Sequence, residues 1–291
     1  MKSSAAHRSI FRNPLFLILP SILILIWFLL LPYITMVVMS FRTPSTSKPY
    51  APGFTLSNYM KALTDPYYLN VLSNTLLFGF ITTIVCLALG YPVAYHLARI
   101  KSRYKGLLYV GILSPLLVGV VIRCYGWIVL LADNGLINDL LRKTGMIQSQ
   151  VHLMYNYLGV GIGLVHVYLP FMILPILGNI QGIDPALEAA ARSLGASKIK
   201  SFFRIVLPLS LPGIQSGTIL VFVLTISAYV IPILLGGFKV MIMPTLVVQQ
   251  ILESFLWPFG AALALIMFAA TVLIIFLYIK IMARLMRGVV G

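Results

Sequence analysis

The residues of this 291-residue chain that could do chemistry are few, and their spacing does not assemble them. The four histidines, His7, His96, His152 and His166, are scattered. The two cysteines, Cys86 and Cys124, fall inside apolar segments without metal-ligand spacing and read as buried free thiols. No GxxxxGK phosphate cradle, HExxH, GxSxG or CxxC occurs. Neither a catalytic residue nor a metal site is expected, and the chain is not read as an enzyme. Two features remain. One is Arg123, the one formal charge well inside an apolar segment. The other is a polar interruption from Asp184 to Pro208, DPALEAAARSLGASKIKSFFRIVLP, which holds four cations and two of the six carboxylates.

An intramembrane ionisable residue is by default a functional candidate. For Arg123 two readings stand. It snorkels to an interface and pairs with Asp133 or Asp139, or it faces a pathway and attracts a carboxylate or phosphonate. Other pathway-type groups within the apolar segments are Asn74, Tyr125, Trp127, His166, Tyr168, Asn179, Thr225, Ser227 and Tyr229. His166 also reads as a hydrogen-bonded polar residue of the bundle.

The interruption has the local chemistry of a helix-turn-helix. Asp184-Pro185 is an N-cap followed by an N1 proline. Ala186 to Leu194 has high helix propensity. Gly195 fits the position after the helix, where φ is positive. Ser197 can cap a second helix through Lys198, Ile199 and Phe202 to Val206, ended by Pro208. From the residues alone the module is either a rigid docking surface for a partner or an amphipathic connector resting on the membrane.

The elements that must position these groups are membrane spans. The chain is 60% hydrophobic and only 9% charged, with mean hydropathy +1.01, whereas soluble proteins carry about 25% charged residues. Six segments approach the roughly 20 residues needed to span hydrocarbon: 15–40, 70–97, 106–131, 156–180, 209–235 and 259–284. The first is too long for a signal peptide's apolar region and reads as an uncleaved anchor. Prolines 20, 32, 170, 175 and 232 fall within segments and point either to a kinked pathway or to ordinary bundle packing. Gly159-xxx-Gly163 and Gly213-xxx-Gly217 permit close helix approach. Short helices are expected near Tyr59–Leu63 and within 132–155, in otherwise irregular outer loops.

The net charge of +15 is distributed as topology signals rather than as a nucleic-acid face. Fourteen cations fall on one side: the N-terminal tail (Lys2, Arg8, Arg12), the 99–105 loop, the 184–208 loop and the C-terminal end (Lys280, Arg284, Arg287). Six fall on the other. Both termini and the 184–208 loop are therefore expected to be cytoplasmic. The predicted organisation is an all-α membrane protein: a tail 1–14, a first span 15–40, a core 70–284 and a tail 285–291.

Here the residues resemble a known family. Glu188-Ala189-Ala190-Ala191, then Gly195-Ala196, nine residues after the glycine, and Ile205-x-Leu207-Pro208 resemble the EAA loop of ABC-importer permeases. The glycine-to-proline half matches at every specified position, while Glu188 lies one residue before the family's acid, a rotation of about 100° on a helix. Asn74-Thr75, Arg123-Cys124-Tyr125-Gly126-Trp127 with Gly135 and Asn138, and Trp257-Pro258-Phe259-Gly260-Ala261 resemble polyamine-type permeases in order along 70–284.

The resemblance implies a type I importer permease with six transmembrane helices in the bacterial inner membrane. This chain would form half of the pathway for a small polar solute: a polyamine, or an amino-acid-like, opine-like or phosphonate solute. Implied partners are a dimer of ATP-binding subunits, which would hold ATP and Mg, a second permease chain or second copy, and an extracytoplasmic solute-binding protein. A coupling role falls on Glu188, Ala189, Ala190, Ala191, Gly195, Ala196, Ile205, Leu207 and Pro208. The alternative, a self-sufficient secondary transporter, predicts an intramembrane acid or inverted repeat, and neither is clear in the sequence.

Overall fold

The structure, a computed structural model, describes residues 14–45 and 48–290. Lys2, Arg8 and Arg12 of the expected 1–14 tail, and the side chain of Arg287, lie outside the described residues. Two compact units emerge, one of residues 1–64 and 247–265 and one of 65–246 and 266–291.

The first unit begins with α1 (Pro14–Ser40). The most apolar 18-residue window of its span Ile18–Ser40 has mean hydropathy 2.6 and no buried residue. A helix that is apolar all round and exposed requires lipid or another chain around it. A small hairpin follows, β1 (Arg42–Thr43) antiparallel to β2 (Ala51–Phe54), then α2 (Ser57–Thr64). The hairpin was not expected, whereas α2 covers the predicted 59–63 helix. Buried Asn58 ties these pieces together by donating to the carbonyls of Ser40 and Arg42 at 2.9 and 3.0 Å.

The second unit holds α3 (Pro66–Arg99), α4 (Lys105–Leu117), α5 (Val120–Leu131), α6 (Leu136–Lys143), α7 (Tyr157–Gln181) and α8 (Pro185–Ser193). Two bent pairs come next: α9 (Lys198–Leu209) with α10 (Leu211–Ile226) at 63°, and α11 (Pro232–Lys239) with α12 (Met243–Glu253) at 80°. The chain ends in α13 (Trp257–Val290), and α12 and α13 each contribute residues to both units.

Helices α3, α7 and α10 form the core. A Cβ on Gly79 of α3 would stand 2.6 Å from Ile226 of α10. On Gly213 and Gly217 of α10 it would stand 3.0 Å from the Pro175 carbonyl and 3.1 Å from the Met172 carbonyl of α7. Backbone cannot yield as a side chain can, so these glycines set the helix separation. Cys86 and Cys124 are buried and free, as expected. Pro170 and Pro175 do not interrupt α7.

Among the described residues five helices are long and apolar enough to cross a membrane, or up to seven spans if each bent pair counts as one. Two expected segments are corrected. Segment 106–131 is broken between α4 and α5 at Val118-Gly119, where the backbone is extended. Pro115 lacks the N–H that would bond the Gly111 carbonyl, and the Ser114 hydroxyl lies 3.5 Å from that carbonyl instead. Segment 209–235 is broken at Ser210 and again at Ser227–Tyr229. There Ser227 Oγ donates back to the Val223 carbonyl at 2.7 Å, competing with helix continuation.

The 132–155 stretch contains the expected amphipathic α6. Its fold explains two residues noted in the sequence. Gly135 has backbone carbonyls of Val129, Leu130 and Ala132 within 2.6–2.9 Å of a would-be Cβ. Asn138 is fully buried and bonds the Ala132 carbonyl and both backbone groups of Val151.

Candidate coupling element and membrane groove

The 184–209 element forms from its own local chemistry. Asp184 Oδ1 accepts from the Ala186 N–H at 2.8 Å, and Pro185 occupies the first helical turn of α8. Leu194 closes α8 and Gly195 follows at φ +87°. The Gly195 N–H reaches the Arg192 carbonyl and the Ala196 N–H the Ala191 carbonyl, both at 3.0 Å. These paired bonds are a Schellman turn, which requires the left-handed residue that glycine supplies. Ser197 Oγ then accepts from the Lys200 N–H at 3.2 Å to start α9.

One expectation is revised. Pro208 does not end the second helix. A π-helical stretch, Phe202–Val206, precedes it, and the helix continues to Leu209. The break comes at buried Ser210, whose Oγ donates to the Leu207 carbonyl and lies 2.9 Å from Tyr91 Oη. Leu207 and Pro208 lie directly before this corner, Ile205 within the π-helical stretch.

The two faces of α8 differ. Glu188, one residue off the family register, turns toward α3. Its carboxylate lies 2.7 Å from Arg99 Nη2 and accepts from Tyr95 Oη at 3.1 Å, while Arg99 Nη1 donates to the Ile183 carbonyl at 3.0 Å. This clamp brings the two cation-rich loops, 99–105 and 184–208, to one end of the unit. Ala189 and Ala190 are exposed, and Ala191 and Ala196 are half-buried. Large apolar side chains accompany them outward: Leu187, Leu194, Ile199 and Phe203, with Leu194 at 90% exposure. None of these four is among the residues to which the sequence assigns a coupling role. Their signal was apolar residues within a stretch otherwise too polar to need them.

The pathway candidates do not all converge. A groove of about 850 Å³ between α3 and α7 gathers Asn74, Trp127 and His166. Trp127 and His166 meet edge to face, with centroids 5.4 Å apart. The groove adds Phe78 and Tyr157, whose rings lie 5.4 Å apart; Asn74 Nδ2 donates to Tyr157 Oη at 3.4 Å. The remaining candidates do not line it. Thr225 is buried and bonds the Val221 carbonyl. Tyr168 packs between two apolar clusters. Tyr125 is exposed on α5. Tyr229 sits at the break after α10, its carbonyl accepting from the Ile233 N–H. Asn179 packs against Gly213.

Of the two readings of Arg123, the pair with Asp133 or Asp139 does not form. Asp133 instead bonds His152 at 3.0 Å, and two guanidinium nitrogens of Arg123 are buried without a hydrogen-bond partner.

A buried hydroxyl does structural work at the opposite end of α3. Thr75 Oγ1 donates to the Val71 carbonyl and accepts from the Met243 N–H at 2.8 Å, which anchors the start of α12.

The fold matches that of chains in solved ABC transporters. A chain of a bacterial ABC transporter involved in import of the acidic polysaccharide alginate superposes with TM-score 0.79 at 18% identity, covering 96% of this chain and 98% of that one. The fold is thus shared with a chain of that importer. No family model matches the chain. Among curated proteins, the spermidine/putrescine transport system permease protein PotB of Haemophilus influenzae is 37% identical over 265 residues, 91% of this chain and 92% of that protein. PotB of Escherichia coli K12 is 37% identical over 238 residues, covering 82% and 86%. The chain belongs to the PotB-type family of ABC-importer permeases.

Proposed function

We propose that this permease subunit sits in the bacterial inner membrane as a six-span protein with both termini cytoplasmic. It carries a polyamine-type cation, driven by ATP and Mg bound on a separate pair of ATP-binding subunits. Identity of 37% to PotB along nearly the whole chain supports the substrate class. The groove offers the aromatic faces of Phe78, Trp127 and Tyr157, on which organic cations can rest. It has no carboxylate in its lining, so a second permease chain supplies the acids. An extracytoplasmic binding protein delivers the solute. The solved alginate importer has also been captured with its oligosaccharide-bound periplasmic protein.

The observation that carries the coupling role is the 184–209 element. It is clamped to α3 through Glu188 and turns Leu187, Leu194, Ile199 and Phe203 outward. Such a rigid apolar protrusion suits a groove on an ATP-binding subunit. The test is Leu194→Cys in a chain whose buried Cys86 and Cys124 are replaced by Ala, cross-linked to cysteines introduced into the docking groove of the co-purified ATP-binding subunit. Cross-linking in high yield that stops ATP-driven uptake, with recovery on reduction, is the expected result. Absence of any cross-link, with full uptake, would remove the coupling assignment.

A further inference from the structure

On the inner side of α8, away from Leu187 and Leu194, lies a polar pocket of about 310 Å³. Five of its lining residues carry the argument: Arg99 from α3, Glu188 and Arg192 from α8, and Lys198 and Ser201 from α9. Three cations face one carboxylate. That carboxylate is already engaged by Arg99 at 2.7 Å and by Tyr95. Arg192 has only a 3.3 Å bond from Nε to the Glu188 carbonyl, and Lys198 is in neither ion pair found among the described residues. Arg192 and Lys198 are both exposed, and neither has a carboxylate partner among the described residues.

Ser201 supplies the second, independent sign. It is 2% exposed and its Oγ has no hydrogen-bond partner. Arg99 Nε is likewise buried without one. Buried polar groups are almost always bonded, so an orphaned hydroxyl at a pocket wall calls for a ligand. The open groups are mostly donors: a guanidinium N–H, a second guanidinium, an ammonium and a hydroxyl; the one acceptor among them, Glu188 Oε1, is held by the charge of Arg99 at 2.7 Å. The donors' common complement is an anionic acceptor with several oxygens.

We propose that this pocket binds a phosphoryl group, carried by an anionic phospholipid headgroup or by free inorganic phosphate. Bound there, it bridges α3, α8 and α9 and braces the coupling element from behind. The placement of the pocket at the cytoplasmic membrane surface rests on the proposed orientation; the binding of phosphate does not.

The test uses the full chain, purified in detergent for titration with inorganic phosphate and embedded in phosphatidylcholine nanodiscs with or without phosphatidylglycerol. Arg192→Gln with Lys198→Gln is expected to weaken binding about thirtyfold, about fivefold per cation. Ser201→Ala weakens it about fivefold through the lost hydrogen bond. A control with equal charge loss, Lys101→Gln with Lys105→Gln, changes it less than about twofold. Dependence seen only with phosphatidylglycerol assigns the headgroup, and dependence seen with phosphate assigns the free ion. Binding of neither probe, or equal loss in the pocket and control variants, overturns the proposal. No outcome relies on ATP-driven uptake, so failure here is distinct from failure of the coupling assignment.

Discussion

Replacing Gly195 tests whether the turn between α8 and α9 must be formed for coupling. At φ +87° an L side chain is strained, by roughly 1–2 kcal/mol. No atom lies within 4 Å of a Cβ built there, so crowding adds nothing and the cost is conformational alone. That penalty changes the ratio of formed to unformed turn by about 5- to 30-fold. Gly195→Asn should be mildest, because Asn tolerates the left-handed region, Gly195→Ala intermediate and Gly195→Val worst. Gly195→Asp matches Asn in shape but adds a charge beside the exposed Leu194, so transport should be abolished where Asn largely retains it. The assay is ATP-driven uptake in proteoliposomes containing the ATP-binding subunits and partner permease, with thermal stability measured in parallel. Uptake should fall in the order Gly, Asn, Ala, Val, and by more than the accompanying drop in melting temperature of a few degrees can account for. Val equal to Gly, or losses that track melting, would refute the reasoning.

Further predictions concern the frame. Gly213→Ala places a methyl 2.6 Å from Asn179 Cβ and 3.0 Å from a backbone carbonyl, and should cost about 1–3 kcal/mol in unfolding. Gly178→Ala, with nothing within 4 Å, should be neutral or stabilising in the same measurement. Thr75→Val leaves the Met243 N–H unbonded and should destabilise by about 1–3 kcal/mol, while Thr75→Ser retains most stability. A double-mutant cycle of Arg99→Gln and Glu188→Gln should show a coupling of about 2 kcal/mol, against none if α8 is free of α3. Arg123→Ala should lower uptake at least about tenfold and Arg123→Lys less, because a half-buried cation with orphaned donors needs a partner outside this chain; equal, near-normal rates would make Arg123 a purely structural residue.

What the sequence disclosed depended on range. The α8–α9 element was legible because Asp184, Pro185, the alanines, Gly195 and Ser197 act within a few residues of themselves. The buried glycine contacts of α10 were legible as a spacing but not as a partner. The direction of Glu188 was not legible, since Arg99 and Tyr95 that hold it belong to another helix. Nor was the Thr75 anchor, whose acceptor role is to a residue 168 positions away. The breaks at Val118-Gly119 and Ser227–Tyr229 escaped notice because hydropathy runs through them unbroken, while backbone bonding does not. The groove drew on Phe78 and Tyr157, ordinary aromatics in sequence, and left Thr225 and Tyr168 in the core.

The most direct test of the central claim is labelled putrescine uptake by reconstituted vesicles, with the ATP-binding subunits present or omitted and ATP supplied or withheld. The solute-binding protein and partner permease are included throughout. Uptake is predicted only when both the ATP-binding subunits and ATP are present. Accumulation by vesicles lacking either would contradict the account, because the energy would then enter this chain by some route other than the 184–209 element.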